Sequence, residues 1–200
     1  MSYIIAGLGN PGEEYENTRH NAGRVVLDFL RKKLPVKKEF SDWQADKKLK
    51  ALIGEGAVGK ESVSLLMPDN FMNNSGQSLK PLITSKAKAK NLVVIYDDLD
   101  LALGDFKISF NKGDGGHRGL ASIIKNIKTR EFVRIRVGIS PTTPSGKLKK
   151  PKGEDKVVDF LMKKFKPDEL KVVNKVAKEL IEPVLLILEG QLSKSMSLYN

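Results

Sequence analysis

The sequence predicts one layered α/β domain, and three observations lead to this fold class. Segments with the periodicity of strands alternate along the chain with segments of helical periodicity, which is the pattern of α/β proteins. The apolar run 92–96 is typical of a strand buried at the centre of a sheet. The length of 200 residues suits one ordinary domain, because two separately folded halves would each have a small core.

Glycine and proline divide the first half of the chain into predicted strands and helices. Short β-branched runs predict strands, whereas Val25, Val26, Phe29 and Leu30 have the spacing of an amphipathic helix. The elements expected in this half are a buried strand (2–6), a glycine-rich loop (7–12), a helix that ends near Pro35, a hairpin of two strands (48–53 and 62–67) around Gly54, Gly56 and Gly59, a helix (71–83) and the central strand (92–96).

The second half continues the alternation and ends in a long helix. A strand is expected at 106–110 and a helix at 119–127, followed by a strand at 132–139 that carries Arg134 and Arg136 on one face. Residues 141–156 contain three prolines, two glycines and five lysines, which predicts a long, mobile, basic loop. Apolar residues from 167 to about 190 follow one helical face, and Pro183 predicts a kink or a restart.

Composition excludes several classes of protein and favours a polyanionic partner. The chain has no cysteine, which excludes disulfides, iron–sulfur clusters and thiol catalysis and indicates the cytosol. The first residues do not have the pattern of a secretory signal, and no apolar stretch approaches the roughly 20 residues of a spanning helix. Lysine and arginine number 35 against 24 acidic residues, and a net charge of +11 favours association with nucleic acid.

Two histidines are the first candidates for chemistry. His20 and His117 lie in segments rich in glycine or asparagine and without periodicity, and such loops often carry functional residues. A histidine base needs an acid that fixes its tautomer. Asp97 follows the central strand directly, at the sheet edge where open α/β sheets form their crevices. We therefore expect a pair of His20 and Asp97, with a purely structural role for each as the alternative.

Metal and cofactor sites have weaker support. The acids Asp97, Asp98 and Asp100 would suit magnesium, but acids in such a cluster also solvate turns. The run Gly7-Leu8-Gly9 resembles the opening of a dinucleotide motif, yet Pro11 follows where a helix should begin. We expect neither a metal nor a cofactor.

Asparagines are frequent in the same kind of segment. Asn10, Asn21 and Asn73 each offer an uncharged donor and acceptor, which suits the recognition of a carbonyl or the positioning of water. Turn formation and helix capping are the structural alternative, which we prefer for Asn74 and Ser75.

Four motifs together resemble the bacterial peptidyl-tRNA hydrolase family. They are Gly-Leu-Gly-Asn-Pro-Gly-x-x-Tyr-x-x-Thr-Arg-His-Asn-Ala-Gly at 7–23, Pro-x-x-Phe-Met-Asn-x-Ser-Gly at 68–76, Asp-Asp-Leu-Asp at 97–100 and Gly-Gly-His-x-Gly-Leu at 115–120. The similarity spans residues 3 to about 140, and 157–165 resembles the segment that follows the family's mobile loop.

This resemblance implies a fold, an activity and a set of site residues. The fold is a single three-layer domain with a central, mostly parallel mixed sheet flanked by helices. The activity is hydrolysis of the ester of peptidyl-tRNA by a cytoplasmic monomer without metal or cofactor. The resemblance makes His20 the general base and Asp97 its orienting acid, and it gives Asn10 and Asn73 the task of holding the reacting centre. The residues expected at the peptide or the tRNA are Tyr15, Phe71, Met72, Asn73, Lys107, Gly115, His117, Arg118 and Arg136.

The chain departs from the family pattern at two positions. Arg118 stands where the family usually has asparagine, and Ser109 stands where a second basic residue is common. A catalytically inactive, splicing-type RNA-binding relative is the main alternative function. Against it stand four retained residues: Asn10, His20, Asn73 and Asp97. A hydrolase of small esters or amides is a third possibility, which would leave the net charge of +11 unexplained.

Overall fold

One mixed sheet organises the chain, which a computed structural model describes for residues 2–36 and 39–200. The strands found in these residues are β1 (Ser2–Gly7), β2 (Gln44–Asp46), β3 (Ala51–Val58), β4 (Glu61–Pro68), β5 (Leu92–Ala102), β6 (Phe106–Phe110) and β7 (Val133–Ser140). Their order across the sheet is β2-β3-β4-β1-β5-β7-β6. The central pairs β4–β1, β1–β5 and β5–β7 are parallel, whereas β2–β3, β3–β4 and β6–β7 are antiparallel. The predicted fold class is confirmed.

Helices cover both faces of this sheet and complete three layers. They are α1 (Ala22–Lys33), α2 (Gly76–Leu79), α3 (Lys86–Lys90), α4 (Arg118–Ile127), α5 (Glu154–Met162), α6 (Pro167–Glu179), α7 (Ile181–Leu188) and α8 (Leu192–Tyr199). Successive side chains of a strand point to opposite faces, so Val93 and Ile95 pack with α1, α6 and α7, whereas Val94 and Tyr96 pack with α4. In the part of the chain that the structure describes, no helix combines the length and apolarity needed to cross a membrane.

The central strand β5 is longer than the sequence predicts. It continues through the acidic segment because β7 remains alongside, with Asp97 opposite Val137 and Asp98 opposite Gly138. The neighbour on the other side, β1, ends with Gly7 opposite Ile95. Asp97 therefore lies beyond the carboxyl end of β1 while its backbone still pairs with β7, so the side chain is held rigidly at the sheet edge.

Two predicted elements of the first half have different boundaries, and two further elements were not predicted. Strand β3 continues to Val58, so Gly54 and Gly56 are strand residues and the hairpin turn lies at Gly59, which has a φ of 57°. The predicted helix 71–83 is instead a 3-10 helix, Met72–Asn74, followed by the short α2. Strand β2 and helix α3 were not predicted, because neither has an apolar periodicity that is visible in the sequence.

The C-terminal third also departs from the prediction. The basic loop is irregular up to Gly153, but α5 begins at Glu154, where two acids in the first turn favour a helix N-terminus. The predicted helix 167–190 is two helices, α6 and α7, that meet at Leu180. Pro183 has no N–H for a bond to the carbonyl four residues earlier, which accounts for a restart near this position. The mobility of the loop remains a prediction.

Candidate active site

A buried carboxylate held by two imidazoles forms the centre of the candidate site. Asp97 is 3% exposed and His20 is 6% exposed. The Nδ1 atom of His20 lies 2.9 Å from Oδ1 and 3.1 Å from Oδ2 of Asp97. The Nε2 atom of His117 lies 3.0 Å from the same Oδ1. The expected contact of His20 with Asp97 is present, and His117, expected at the substrate, contacts this acid as well.

Each face of the sheet supplies one of these histidines. His20 precedes α1 on one face, and His117 precedes α4 on the other. Helix α1 can approach the sheet closely because Gly23 lies against the carbonyl of Ile95, where a Cβ atom would overlap the backbone. This approach brings His20 to the end of β1, beside Asp97.

The hydrogen bonds define which nitrogen of each imidazole carries a proton. An ionised carboxylate only accepts, so Nδ1 of His20 and Nε2 of His117 both donate to Asp97. The Nδ1 atom of His117 accepts from the backbone N–H of Leu120 at 3.3 Å. Within the described residues, Nε2 of His20 has no hydrogen-bond partner, so its lone pair is available to a ligand.

Burial and charge compete at these groups. Burial opposes ionisation of Asp97, but the adjacent His20 and His117 outweigh it and hold the pKa of this carboxyl well below its usual range. Burial also disfavours the His20 cation, but the charge and hydrogen bond of Asp97 raise the pKa of His20 above 6.5 despite the opposing charge of Arg118. His20 is therefore a stronger base than a free imidazole.

Asn10 is held in place by a second asparagine. The Asn21 side chain accepts from the Asn10 N–H at 2.8 Å and donates to the Asn10 carbonyl at 2.9 Å. The Oδ1 atom of Asn10 accepts from the Met72 N–H at 2.8 Å. With its oxygen engaged, Asn10 offers its Nδ2 group to a ligand. No specific role was predicted for Asn21, although its position directly after His20 is a signal that could have indicated one.

The loop around Met72 presents exposed side chains on either side of a buried one. Phe71 is 58% exposed, and its ring meets the ring of Tyr15 edge-on, with centroids 6.3 Å apart. Met72 is 4% exposed and packs against Gly119, so it is a core residue rather than part of an open pocket. Asn73 is exposed and makes no side-chain hydrogen bond within the described residues, so its amide is free.

A cavity of about 700 Å³ opens beside Asp97. The predicted site residues that line it are His20, Asp97, Gly115, His117, Arg118 and Arg136. Helix α5 forms one wall, with Val157, Val158 and Leu161 among the lining side chains. The other predicted residues do not line this cavity; they are Asn10, Tyr15, Phe71, Met72, Asn73 and Lys107.

The basic residues near the cavity are engaged with acids or exposed. Arg136 donates from Nε to Asp98 at 2.6 Å, and the exposed Lys107 lies opposite Arg136 in the register of β6 and β7. Arg118 donates to Glu154 on α5 at 2.7 Å, across the cavity. The sequence offered no means of pairing Arg118 with a residue 36 positions away.

The same three side chains are the group in the described residues whose donors could hold a metal ion. The ligand atoms of His20, Asp97 and His117 lie within 4.8 Å of one another, and zinc accepts imidazole and carboxylate ligands. Of the acids that would suit magnesium, Asp98 pairs with Arg136 and Asp100 pairs with Lys150. Independence from metal remains a prediction.

The fold and the site together define an α/β enzyme of the hydrolase class, with an aspartate-bound histidine that faces a cavity. Residues 4–200 match the sequence pattern of the Peptidyl-tRNA hydrolase family. The chain is 39% identical to the Peptidyl-tRNA hydrolase of Caldanaerobacter subterraneus subsp. tengcongensis over 199 residues, which is 99% of each chain. It is 39% identical to that of Aquifex aeolicus, with coverage of 98% of this chain and 95% of the relative.

A solved structure leads to the same conclusion. Peptidyl-tRNA hydrolase from Acinetobacter baumannii has a TM-score of 0.84 and 30% identity, with coverage of 98% of this chain and 92% of that one. The chain belongs to the peptidyl-tRNA hydrolase family. Its activity is the hydrolysis of peptidyl-tRNA.

Proposed function

We propose that His20 is the general base for hydrolysis of the ester that joins a peptide to the 3′ ribose of tRNA. The observation that carries this proposal is the environment of the His20 imidazole. Its Nδ1 atom is bound to the buried Asp97, its Nε2 atom has no hydrogen-bond partner among residues 2–36 and 39–200, and the residue lines the cavity of about 700 Å³. Such an arrangement suits a base that must be neutral, oriented and accessible.

The reaction proceeds in two proton transfers. The Nε2 atom of His20 takes a proton from water as the water oxygen bonds to the ester carbonyl carbon. Asp97 stabilises the imidazolium that forms. The imidazolium returns the proton to the ribose oxygen as the bond from the carbonyl carbon to that oxygen breaks. The products are a peptide with a free carboxyl group and a free tRNA, both of which return to translation.

The asparagines bind the peptide and the developing charge. The Nδ2 group of Asn10 is a donor fixed by its buried neighbours, and the exposed amide of Asn73 is free to bind. Donors held in place before the reaction stabilise an oxyanion without reorganisation. We assign Asn10 and Asn73 to the peptide and the reacting centre.

The tRNA portion binds through cations and aromatic rings. Arg118, Arg136 and Lys107 supply charge near the cavity, in keeping with the net charge of +11. Tyr15 and Phe71 offer rings on which unpaired bases of the 3′ end can stack. The substrate can approach the backbone at Gly115 closely, because this glycine lines the cavity and has no side chain.

The remaining parts of the proposal concern the setting of the reaction. The protein acts in the cytoplasm as a monomer, as the family resemblance implies, and the base alone activates water. Light scattering on the purified protein tests the monomer. Activity that is unchanged after treatment with a chelator tests independence from metal.

Hydrolysis of purified peptidyl-tRNA tests the activity directly, with free aminoacyl-tRNA as the control. We expect release of tRNA from the first substrate and much slower release from the second. Salt-sensitive binding without turnover would instead support the RNA-binding alternative. Turnover of small esters without turnover of peptidyl-tRNA would support the third candidate.

A further inference from the structure

Helix α5 is a cavity wall with unusually little anchoring in the core. None of its residues is buried, although Phe160 and Leu161 pack partly against the core. Most helices in proteins depend on tertiary packing of an apolar face for their stability. The contacts at the two ends of α5 therefore decide where this wall lies relative to His20.

The C-terminal end of α5 is held by the residue directly before His20. Arg19 is 7% exposed. Its Nη1 atom donates to the carbonyls of Lys163 and Lys164 at 3.3 and 3.2 Å. Its Nη2 atom donates to both carboxylate oxygens of Glu169 on α6, at 2.9 and 2.8 Å. The guanidinium also lies 4.6 Å from the ring centroid of Phe160.

Backbone pairing strengthens this junction. The Arg19 N–H donates to the Lys163 carbonyl at 3.0 Å, and the Phe165 N–H donates to the Asn17 carbonyl at 2.8 Å. The end of α5 and the segment that carries His20 are thus joined by main chain as well as by side chain. Several charge-assisted bonds from one buried guanidinium, added to the backbone bonds, make this a firm connection.

The N-terminal end of α5 is held by the residue directly after His117. Arg118 pairs with Glu154 at 2.7 Å, but the two side chains are 65% and 78% exposed. Gly153, just before Glu154, has a φ of 92°, a conformation that glycine adopts without strain. An exposed pair of this kind shifts an equilibrium by at most about fivefold, so this end is easily released.

We propose that Arg19 is a positioning residue that fixes the C-terminal end of α5 against His20, and that the pair of Arg118 and Glu154 is a latch that the substrate opens. This inference rests on the proposed function. An anionic group of the tRNA 3′ end replaces the Glu154 carboxylate on Arg118, since guanidinium binds phosphate through two parallel hydrogen bonds. Helix α5 then swings about the Arg19 junction, and the cavity widens at the end nearest His117.

Hydrogen exchange on the free protein tests the asymmetry without any turnover. The variants are Arg19→Gln, Glu154→Gln and the control Lys86→Gln, which breaks an exposed ion pair with Glu131. We expect Glu154→Gln to speed exchange two- to fivefold in the first turn of α5 only, and Arg19→Gln to speed it at least tenfold through residue 165. Equal effects of the two variants along α5 would overturn the assignment of Arg19 as the fixed end, or pivot, and of the pair of Arg118 and Glu154 as the latch.

Kinetics test the consequence for the reaction. At low salt, Glu154→Gln should lower KM two- to fivefold with kcat unchanged, because substrate no longer competes with a carboxylate for Arg118. Glu169→Gln leaves Arg19 in place but weakens the junction, and it should lower kcat at least threefold with an unchanged pH midpoint. The control Lys86→Gln should match the wild type in both constants.

Two results would overturn the proposal. One is a KM of Glu154→Gln that equals or exceeds that of the wild type. The other is a normal kcat in both Arg19→Lys and Glu169→Gln at a temperature where each remains folded. If the wild type fails to hydrolyse peptidyl-tRNA, the proposed function fails, whereas the exchange experiment still tests the pivot on its own.

Discussion

Removal of the His20 imidazole should abolish turnover and spare affinity. A general base acts in the transition state, whereas tRNA is held by many contacts elsewhere. We expect His20→Ala to lower kcat about 100- to 10,000-fold, with a Kd for tRNA within about threefold of the wild-type value. Single-turnover hydrolysis and filter binding measure the two effects. Near-normal turnover of His20→Ala would remove this residue from the mechanism.

The pH dependence of kcat/KM should reflect the pKa of His20. The base must be neutral to act, so kcat/KM rises with pH. Its midpoint lies above 6.5, because Asp97 raises the pKa of His20. In Asp97→Asn the charge is gone and burial dominates, so the rate falls and the midpoint moves below 6.5. A midpoint in Asp97→Asn equal to that of the wild type would show that Asp97 does not tune the base.

Arg118 should affect binding more than chemistry. We expect Arg118→Ala to raise KM more than it lowers kcat, since the side chain holds an anionic group of the substrate. Its charge also lowers the pKa of His20, so its removal moves the pH midpoint upward. Arg118→Asn, which restores the usual family residue, should remain active with a shallower salt dependence. Unchanged KM and kcat in Arg118→Ala would argue against a binding role, and a large gain in kcat in Arg118→Asn would show that the arginine impairs the site.

At the scale of elements, the packing of α1 against the sheet determines the position of His20. A Cβ atom on Gly23 would overlap the backbone of Leu8 and Ile95, so Gly23→Ala must push the helix away. We expect a loss of about 1–3 kcal/mol in the free energy of unfolding, together with a fall in kcat. Urea unfolding and steady-state kinetics measure both. Gly54→Ala is the matched control, because its Cβ would meet neighbours at ordinary distances; equal losses in both variants would contradict the argument.

Some elements were evident in the sequence because their pattern is local. The strand at 92–96 is a continuous apolar run, and α1 and α4 have clear helical periodicity. Strand β2 and the extension of β5 to Ala102 were not evident, because pairing with a neighbouring strand creates them. The break at Leu180 was expected near its place because proline acts on its own backbone.

At the scale of the whole molecule, the net charge of +11 should make substrate binding sensitive to salt. Each lysine or arginine that neutralises a phosphate releases counterions, which gives a slope of about −0.7 to −0.9 in log K against log salt. Three such contacts weaken binding about 20- to 40-fold between about 50 and 200 mM salt. Titration of tRNA at several salt concentrations measures the slope. A flat response would contradict the roles of Lys107, Arg118 and Arg136 at phosphates.

The sequence by itself determined the fold class, the family resemblance and the pairing of His20 with Asp97. These conclusions rest on patterns and motifs that are local in the sequence and can be recognised without the structure. They also rest on the general rule that acids after central strands lie at a functional edge. Asn10 and Asn73 came from motifs as well, and their side-chain donors are unoccupied within the described residues.

Only the tertiary structure decided the partners of these residues. His117 reaches Asp97 from the opposite face, Asn21 clamps Asn10, and Arg118 meets Glu154 across the cavity. None of these contacts follows from spacing along the chain, since each depends on how helices on two faces pack against one sheet. Helices α1 and α4 approach the carboxyl edge of the sheet closely, and this approach brings the separate motifs together into one site. It is possible because Gly7, Gly23 and Gly119 have no Cβ atom, for which the packing there leaves no room.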